Sequence, residues 1–186
     1  MTNASLVYVH IGDKIPNYIF DSIYQSLLVN NSKIYIIIDD SCIIYMKNII
    51  SKFNLEIYGI LNHELLLEYI PTSILTDGAR KIKVNNEDHF KFRDSFWIYT
   101  TLRFFYIEEF MKIFKIKHIF HIENDVMIYT SLNKVVENIE SLHVVKDSPN
   151  RVIPSIMYIP YNTLVNMNEF ISNKLKNNMY LNDMEL

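Results

Sequence analysis

Two carboxylates, Glu123 and Asp125, directly follow the apolar run His118–Ile122. If that run is a strand of a parallel sheet, both acids stand at its carboxyl end, where open α/β sheets bind their ligands. Side chains alternate along a strand, so we expect both carboxylates on one side, where they can contact the same ligand. Hard oxygen ligands at this spacing suit Mg²⁺ or Mn²⁺ that also holds a diphosphate. A solvated acidic strand end would show the same spacing, and that alternative stays open here.

Two other groups of side chains have types that could do chemistry. His118 and His121 have metal-ligand spacing for a helix but lie on opposite faces of a strand, so we expect packing or a hydrogen bond instead. The basic residues Arg80, Lys81 and Lys83 could cover a diphosphate, although a solvated loop explains them more simply.

The first half of the chain predicts the elements that would carry such a site. Three short apolar runs read as strands, at residues 6–11, 34–38 and 55–60. Pro16 opens an amphipathic helix between the first and second runs, and Ser41 can cap another helix between the second and third. The order strand, helix, strand, helix, strand predicts a parallel sheet with right-handed crossovers.

The second half predicts a turn-rich excursion followed by further alternating elements. The excursion covers residues 63–92 and has no clear period, so we expect a long and partly mobile loop. After it we expect a long buried helix at 95–114, a central strand at 118–122 and a further helix from 130 or 131 to 142. Two strand-like runs follow at 144–145 and 152–159, and a last helix at 162–174. No repeat or linker interrupts this order, which indicates one α/β domain over residues 1–186.

Composition excludes several classes of protein. Acids exceed bases, 21 against 18, so there is no overall basic field and we expect no nucleic-acid partner. Only three glycines occur in 186 residues, which excludes the Gly-rich loops of dinucleotide-binding and Walker-A proteins. A phosphorylated ligand would therefore need another means of charge neutralisation, such as a metal ion.

Cysteine usage and hydropathy bear on location. Cys42 is the only cysteine, so no internal disulfide or cysteine zinc site can form, which fits a reducing compartment. We expect it to be a buried small apolar side chain. No apolar run approaches the roughly 18 residues of a membrane span, and the first residues lack a signal-peptide pattern. The expectation is a cytoplasmic protein without a membrane span.

Taken in order, these segments resemble the glycosyltransferases of the GT-A fold, the nucleotide-diphospho-sugar transferases. The Glu123-Asn124-Asp125 motif resembles their DxD-type motif at the end of a central strand. The stretch FRDSFWIYTTLR at 92–103 is similar to the preceding helix in sugar transferases of giant viruses and microbes. VYVHIG at 7–12 and IYIIIDD at 34–40 resemble the first two nucleotide-binding strands. The resemblance covers residues 6–142, and more loosely 152–186.

The resemblance implies a role for individual residues. Asp125 would bind Mn²⁺ or Mg²⁺ that bridges the donor's phosphates, while Glu123 would contact the metal, a metal-bound water or the ribose. The loop from His10 to Gly12 would approach the nucleobase. The remaining implied donor contacts are Asp39 or Asp40 to the base or ribose, Arg93 and Trp97 to the donor, and Arg103 deeper in the same helix. Trp97, among Phe96, Phe104 and Phe105, is more simply explained as a core residue.

The acceptor side is where the sequence departs from the family's pattern. Asp183 lies where related enzymes keep an acceptor-side carboxylate, and is a candidate general base that a polar tail explains equally well. No residue matches the family's C-terminal metal ligand, and the chain looks short at its acceptor end.

The implied function is metal-dependent transfer of a hexose-type sugar from a UDP- or GDP-sugar to a hydroxyl of a glycan, protein or small molecule. A location in the host cytoplasm or the virion would follow if the source is viral. The alternatives are a non-catalytic nucleotide-binding or interaction module of this fold and, less favoured because Gly12 stands alone, a sugar-nucleotide pyrophosphorylase.

Overall fold

The strands of the computed structural model form one large sheet and one hairpin. The backbone is described for residues 4–50, 56–59, 80–84, 87–91, 96–135, 141–149 and 151–176, and the side chains for 4–47, 99–135, 141–149 and 151–174. The strands are β1 Ser5–His10, β2 Ile34–Ile38, β3 Glu56–Gly59, β4 Arg80–Val84, β5 Glu87–Lys91, β6 His118–Ile122, β7 His143–Ser148 and β8 Arg151–Pro160.

The large sheet has six strands in the order β3-β2-β1-β6-β8-β7. The first four run parallel to one another, β8 runs antiparallel to β6, and β7 runs antiparallel to β8. The two central strands are therefore β1 and β6. This confirms the predicted α/β class with a mainly parallel sheet, and the central position of the strand that precedes Glu123.

In the part of the chain that the structure describes, four helices cover the two faces of the sheet. They are α1 Tyr18–Val29, α2 Ile43–Ile50, α3 Phe96–Ile113 and α4 Tyr161–Lys176, with short 3₁₀ turns at Asp40–Cys42 and Leu132–Lys134. One face packs under α1 and the start of α2 and includes Tyr8, Ile36 and Phe120. The other packs under α3 and α4 and includes Val7 and Ile119.

Burial on both faces explains why the central strands read as continuous apolar runs. All five residues of β2 are buried, and so are four of the six residues of β1. Helix α3 was expected to be buried around most of its circumference, and its described buried residues include a full turn, 101–104: Thr101, Leu102, Arg103, Phe104, Tyr106, Ile107, Phe110 and Met111. Parallel strands covered by helices on both sides have no water-facing side to mark with polar residues.

Two predictions of local structure were wrong. The excursion at 63–92 was expected to lack regular structure, but it contains the antiparallel hairpin of β4 and β5, which carries the three basic residues 80, 81 and 83. The other residues of that excursion lie outside the described ones. Where a helix was expected from 130 or 131 to 142, the described residues instead form a 3₁₀ turn at Leu132–Lys134, and residues 141–142 are not helical; residues 136–140 lie outside the described ones.

Tertiary contacts explain the short turn at Leu132–Lys134. The backbone N–H of Leu132 donates to Asn30 Oδ1 at 2.9 Å. The Asn133 side chain accepts from the Ala4 N–H at 2.9 Å and donates to Ser32 Oγ. These partners lie 101 to 129 residues away in sequence, so they hold the chain in a conformation that its local pattern does not predict.

Candidate active site

The carboxyl ends of β1, β2 and β6 meet at one edge of the sheet. His10 is in register with Ile38, and Tyr8 with Ile122. The residues that follow these three strands therefore begin side by side, with the end of β1 in the middle. This is the edge at which open α/β sheets bind ligands.

The Glu123-Asn124-Asp125 segment is a turn and not a continuation of β6. The strand ends at Ile122, and the N–H of Val126 donates to the Glu123 carbonyl at 3.2 Å. Strand alternation therefore does not extend to Asp125, so it cannot be the reason for both carboxylates to lie on one side. Glu123 and Asn124 have separate partners, and Asp125 is exposed.

Glu123 forms an ion pair with Arg103 of α3. Arg103 Nη1 lies 2.6 Å from Glu123 Oε1, with the arginine side chain 8% exposed and the glutamate side chain 28% exposed. The guanidinium also lies over the ring of Phe104, 5.1 Å from its centroid. Sequence reasoning placed both residues at the donor site, and the structure brings them together as partners of each other. A carboxylate held this way has less capacity left for a metal.

Asn124 joins the turn to the central strand. Its Nδ2 donates to the carbonyl oxygen of Val9 at 3.0 Å, across 115 residues of sequence. Its Oδ1 is buried without a hydrogen-bond partner among the described residues. Sequence reasoning named the acids on either side and missed this residue. The available signal was an amide between two carboxylates at a strand end, where turns favour asparagine.

Asp125 is exposed at the corner of the turn. Among the residues that the structure describes, no three His, Cys, Asp or Glu side chains cluster as a metal site would require. Magnesium is commonly held by one or two carboxylates together with substrate phosphates and waters. The arrangement therefore fits a metal shared between Asp125 and a bound diphosphate, and does not form a complete cage of protein ligands.

The end of β1 is shaped by His10, Gly12 and a neighbouring thiol. Gly12 has φ +134, a backbone conformation that L side chains rarely adopt, and its carbonyl accepts from Cys42 Sγ at 3.2 Å. Cys42 is buried, as expected, and burial raises the pKa of its thiol. Its contact with Gly12 ties this loop to the start of the segment after β2.

The ring of His10 is half-buried beside Gly12. Burial lowers its pKa, while a hydrogen bond to the Lys14 backbone and the charge of Asp39 oppose that shift. Its Nε2 is buried and has no hydrogen-bond partner among the described residues. With Asn124 Oδ1, this gives two buried polar atoms near the end of β1 whose hydrogen-bonding capacity is open to a ligand or water.

The acids after β2 take different positions. Asp39 caps the 3₁₀ turn, because its Oδ1 accepts from the Ser41 N–H at 3.1 Å and from Ser41 Oγ at 2.8 Å. Asp40 is exposed in the first position of that turn. Of the two residues proposed from sequence to contact a base or ribose, Asp40 is the more accessible.

His121 lies beneath the site as a neutral structural residue. Its Nδ1 donates to the Val7 carbonyl at 3.1 Å, since a carbonyl can only accept, and its ring meets Phe104 edge-on with centroids 6.2 Å apart. Burial and then the charge of Arg103 lower its pKa to about 3. The sequence expectation of packing or a hydrogen bond is confirmed. His118 is partly exposed, and its ring lies 5.8 Å from that of Tyr158.

Three residues predicted for the site cannot be placed by their side chains. Arg93 and Asp183 lie outside the described residues. Trp97 is in the first turn of α3, but its side chain is outside the described ones.

Among the described helices, none is long and apolar enough to cross a membrane.

Comparisons with known proteins show what this chain is similar to. No family model matches it, and no curated protein matches its sequence. The crystal structure of mouse xyloside xylosyltransferase 1 in its apo form superposes with a TM-score of 0.56 at 8% identity, covering 97% of this chain and 79% of that one. The glycosyltransferase GlyE of Streptococcus pneumoniae TIGR4 gives a TM-score of 0.59 at 13% identity, covering 100% of this chain and 42% of that one.

Both of these structures are glycosyltransferases, from a mammal and a bacterium, and neither supports the similarity to giant-virus transferases. At such low identities the likeness concerns the fold. This chain spans less than half of GlyE. The described residues have the mixed α/β architecture of these glycosyltransferase structures.

Proposed function

We propose that this protein transfers a sugar from a nucleotide-diphosphate sugar to a hydroxyl acceptor with the help of Mn²⁺ or Mg²⁺. The observation that carries the proposal is the turn at 123–125, which puts an exposed Asp125 at the carboxyl end of a central strand in a fold shared with glycosyltransferases. Residues 1–186 act as a single domain of the hexosyltransferase type in this proposal, with a cytoplasmic location.

Asp125 is the residue that would hold the metal, together with the donor's phosphates. When bound, the cation neutralises the diphosphate and favours its departure as a leaving group. Glu123 and Arg103 keep the turn in place from below, because the ion pair joins the tip of β6 to helix α3. Glu123 is accordingly a positioning residue in this proposal, with at most an outer contact to a metal-bound water.

The nucleoside would lie over the ends of β1 and β2. His10 Nε2 and Asn124 Oδ1 supply buried polar atoms for a base or a ribose hydroxyl, and the backbone at Gly12 allows close approach. Asp40 supplies an exposed carboxylate for the ribose. A uridine or guanosine diphosphate is the donor class proposed.

Arg93, Trp97 and Asp183 complete the proposal from the resemblance alone. Arg93 and Trp97 would face the donor sugar near the start of α3. Asp183 would take the proton from the acceptor hydroxyl if the reaction inverts the anomeric centre. The acceptor class is a hydroxyl of a glycan, a protein or a small molecule.

A second function, nucleotide binding without transfer, is favoured by one observation. Glu123 is paired with Arg103, and the described residues contain no cluster of three ligating side chains. A module that only binds a nucleotide would need no cluster of metal-ligating side chains.

Calorimetry tests the metal site. Wild-type protein should bind UDP with Mn²⁺ and bind Mn²⁺ alone much more weakly, because a single carboxylate needs the diphosphate to complete the ligand set. Asp125→Asn should weaken Mn²⁺-dependent UDP binding by about 10- to 100-fold and change folding by less than about 1 kcal/mol. Asp21→Asn, at an exposed carboxylate on α1, is the matched control and should leave binding unchanged.

A panel of UDP- and GDP-sugars then separates the two functions. Hydrolysis or transfer in the presence of Mn²⁺ supports the transferase, and nucleotide binding without turnover supports the binding module. Unchanged UDP binding in folded Asp125→Asn would refute the metal site.

A further inference from the structure

The amino-terminal edge of the sheet, opposite the candidate active site, carries an exposed basic and apolar segment. Helix α3 ends here, and β6 begins at His118. Within residues 112–117, three lysines and two large apolar residues are exposed: Lys112, Ile113, Phe114, Lys115 and Lys117. Ile113 is 52% exposed and Phe114 47%.

Lys33, in a neighbouring segment, adds charge of the same sign. Lys33, exposed at the start of β2, lies with its Nζ 5.0 Å from the centroid of Tyr35, and the Tyr35 ring in turn lies 6.3 Å from that of Phe114. The backbone N–H of Tyr161 donates to the Lys117 carbonyl at 2.8 Å, which brings the start of α4 to the same edge. Segments 28–33, 112–118 and 160–163 contain four lysines and no Asp or Glu.

Lys115 has a backbone conformation that is unusual for its residue type. Its φ is 54, in the left-handed region. The Ile116 N–H donates to the Met111 carbonyl at 2.9 Å and the Lys115 N–H to the Lys112 carbonyl at 3.3 Å, which is the pattern of a Schellman C-cap. Glycine is favoured at this position because it has no Cβ, so the lysine is held here at an energetic cost that glycine would avoid.

We propose that this edge docks reversibly on an anionic lipid bilayer. The basal surface consists of Lys33, Lys112, Ile113, Phe114, Lys115 and Lys117. The basal surface is positive although the whole chain has a net charge of −3. The attraction to an anionic bilayer therefore comes from this surface and not from the protein as a whole. Side chains such as Ile113 and Phe114 gain from entering the interfacial region of a bilayer, whereas a polyanion in water offers them nothing comparable.

The expected strength is that of a peripheral contact. Each lysine near an anionic surface contributes about 1 kcal/mol, or roughly fivefold in partitioning. Three or four lysines with two shallow apolar side chains give reversible binding that weakens as salt is added. The docked protein would keep its opposite edge, with the turn at 123–125, facing the solution.

Vesicle sedimentation of the whole chain provides the test. Vesicles of phosphatidylcholine with phosphatidylserine should bind the protein, and vesicles of phosphatidylcholine alone should bind it much less. Lys112→Gln with Lys117→Gln should lower partitioning by about 25-fold. The matched control is Lys47→Gln with Lys146→Gln, two exposed lysines on α2 and β7, with the same change in net charge and little expected loss.

Lys115→Gly separates lipid binding from stability. The substitution removes a charge from the basal surface and also relieves the left-handed backbone, so partitioning should fall about fivefold while the melting temperature stays the same or rises. A variant that loses lipid binding merely because it is less stable would show both quantities falling together.

The apolar contribution has its own pair of variants. Ile113→Ser should weaken vesicle binding, and Ile44→Ser, at a side chain 78% exposed on α2, should not. Failure of wild type to bind anionic vesicles, or equal loss in the two double variants, would overturn the proposal. Binding that a single-stranded RNA abolishes and that Ile113→Ser leaves unchanged would assign the surface to a polyanion, which also overturns it. These measurements need no nucleotide, so they stand apart from the proposed transferase function.

Discussion

At the scale of single residues, the turn at 123–125 shows how neighbours in sequence take unrelated tasks. Glu123 points to Arg103 in α3, Asn124 donates to Val9 in β1, and Asp125 is exposed. The pair of acids that looks equivalent in sequence is divided by the structure into a residue that holds the turn and a residue that is open to a ligand.

Glu123→Gln should therefore lower stability. The substitution keeps the size of the side chain but replaces the carboxylate that lies 2.6 Å from the Arg103 guanidinium, itself 8% exposed, with a neutral amide. We expect a loss of about 1–3 kcal/mol in the free energy of unfolding, since the glutamate is itself partly hydrated. Urea denaturation measures it. Asp147→Asn, in a surface pair with Arg151 at 3.7 Å, is the comparison and should change stability by less than about 0.5 kcal/mol. An equally small effect at Glu123 would show that the pair does not hold the turn.

His121 should make the protein sensitive to acid. Its folded-state pKa is about 3, below the ordinary value of 6.5, so between these values the unfolded chain binds a proton that the folded chain does not. Stability from this residue is full above pH 6.5 and falls as the pH drops below it, by about 2 kcal/mol at pH 5.

His121→Asn tests this, because the asparagine amide can keep the hydrogen bond to the Val7 carbonyl without a titrating group. The variant should be less stable at pH 7, having lost its ring contact with Phe104, yet its stability should change less between pH 7 and pH 5. Identical slopes in wild type and His121→Asn would contradict the assignment.

At the scale of elements, a buried amide, Asn168, connects the two helices on one face of the sheet. Asn168 of α4, 2% exposed, donates through Nδ2 to the Phe104 carbonyl at 3.0 Å and to Glu108 Oε2 at 2.7 Å. The contact fixes α4 against α3, the helix that carries Arg103. A break here would loosen the support of the turn at 123–125 from a distance.

Asn168→Ala should reduce the free energy of unfolding by about 1–3 kcal/mol, because the Glu108 carboxylate loses a donor and the side chain leaves a small cavity. Thermal unfolding compares it with Asn166→Ala, an exposed position on the same helix. Similar melting temperatures for the two variants would mean that the amide does not join the helices.

At the scale of the whole molecule, the strand order gathers distant residues at one edge. Because β1 lies between β2 and β6, the residues after each of these strands are neighbours in space although β6 begins 80 positions after β2 ends. The basal surface lies at the opposite edge. A docked molecule would thus keep nucleotide binding and lipid contact at separate ends.

Titration of UDP with Mg²⁺ should locate the nucleotide. Chemical-shift changes are expected at His10, Asp40 and Asp125, with few along α4, because the proposed nucleotide site is formed by the ends of β1, β2 and β6. Asp125→Asn should reduce the changes at all three positions together. Changes that cluster on α4 instead would move the binding site and refute the proposal.

Local patterns in the sequence were enough for the α/β class, for most strands and helices, and for the position of Glu123 and Asp125 at a strand end. Apolar runs such as residues 34–38 and capping residues act over a few positions, so they can be recognised without a partner. The alternation of strands and helices also predicted the parallel first half of the sheet.

Only the tertiary structure decided the contacts that give the candidate site its form. Asn30 accepts a hydrogen bond from the 3₁₀ turn at Leu132–Lys134. The Glu123 carboxylate forms an ion pair with Arg103, and the Asn124 amide donates to the Val9 carbonyl. Each of these contacts joins residues 20 to 115 positions apart. The physical reason is that such hydrogen bonds and ion pairs depend on which elements pack together, and a sequence pattern records only the preference of each segment for its own conformation.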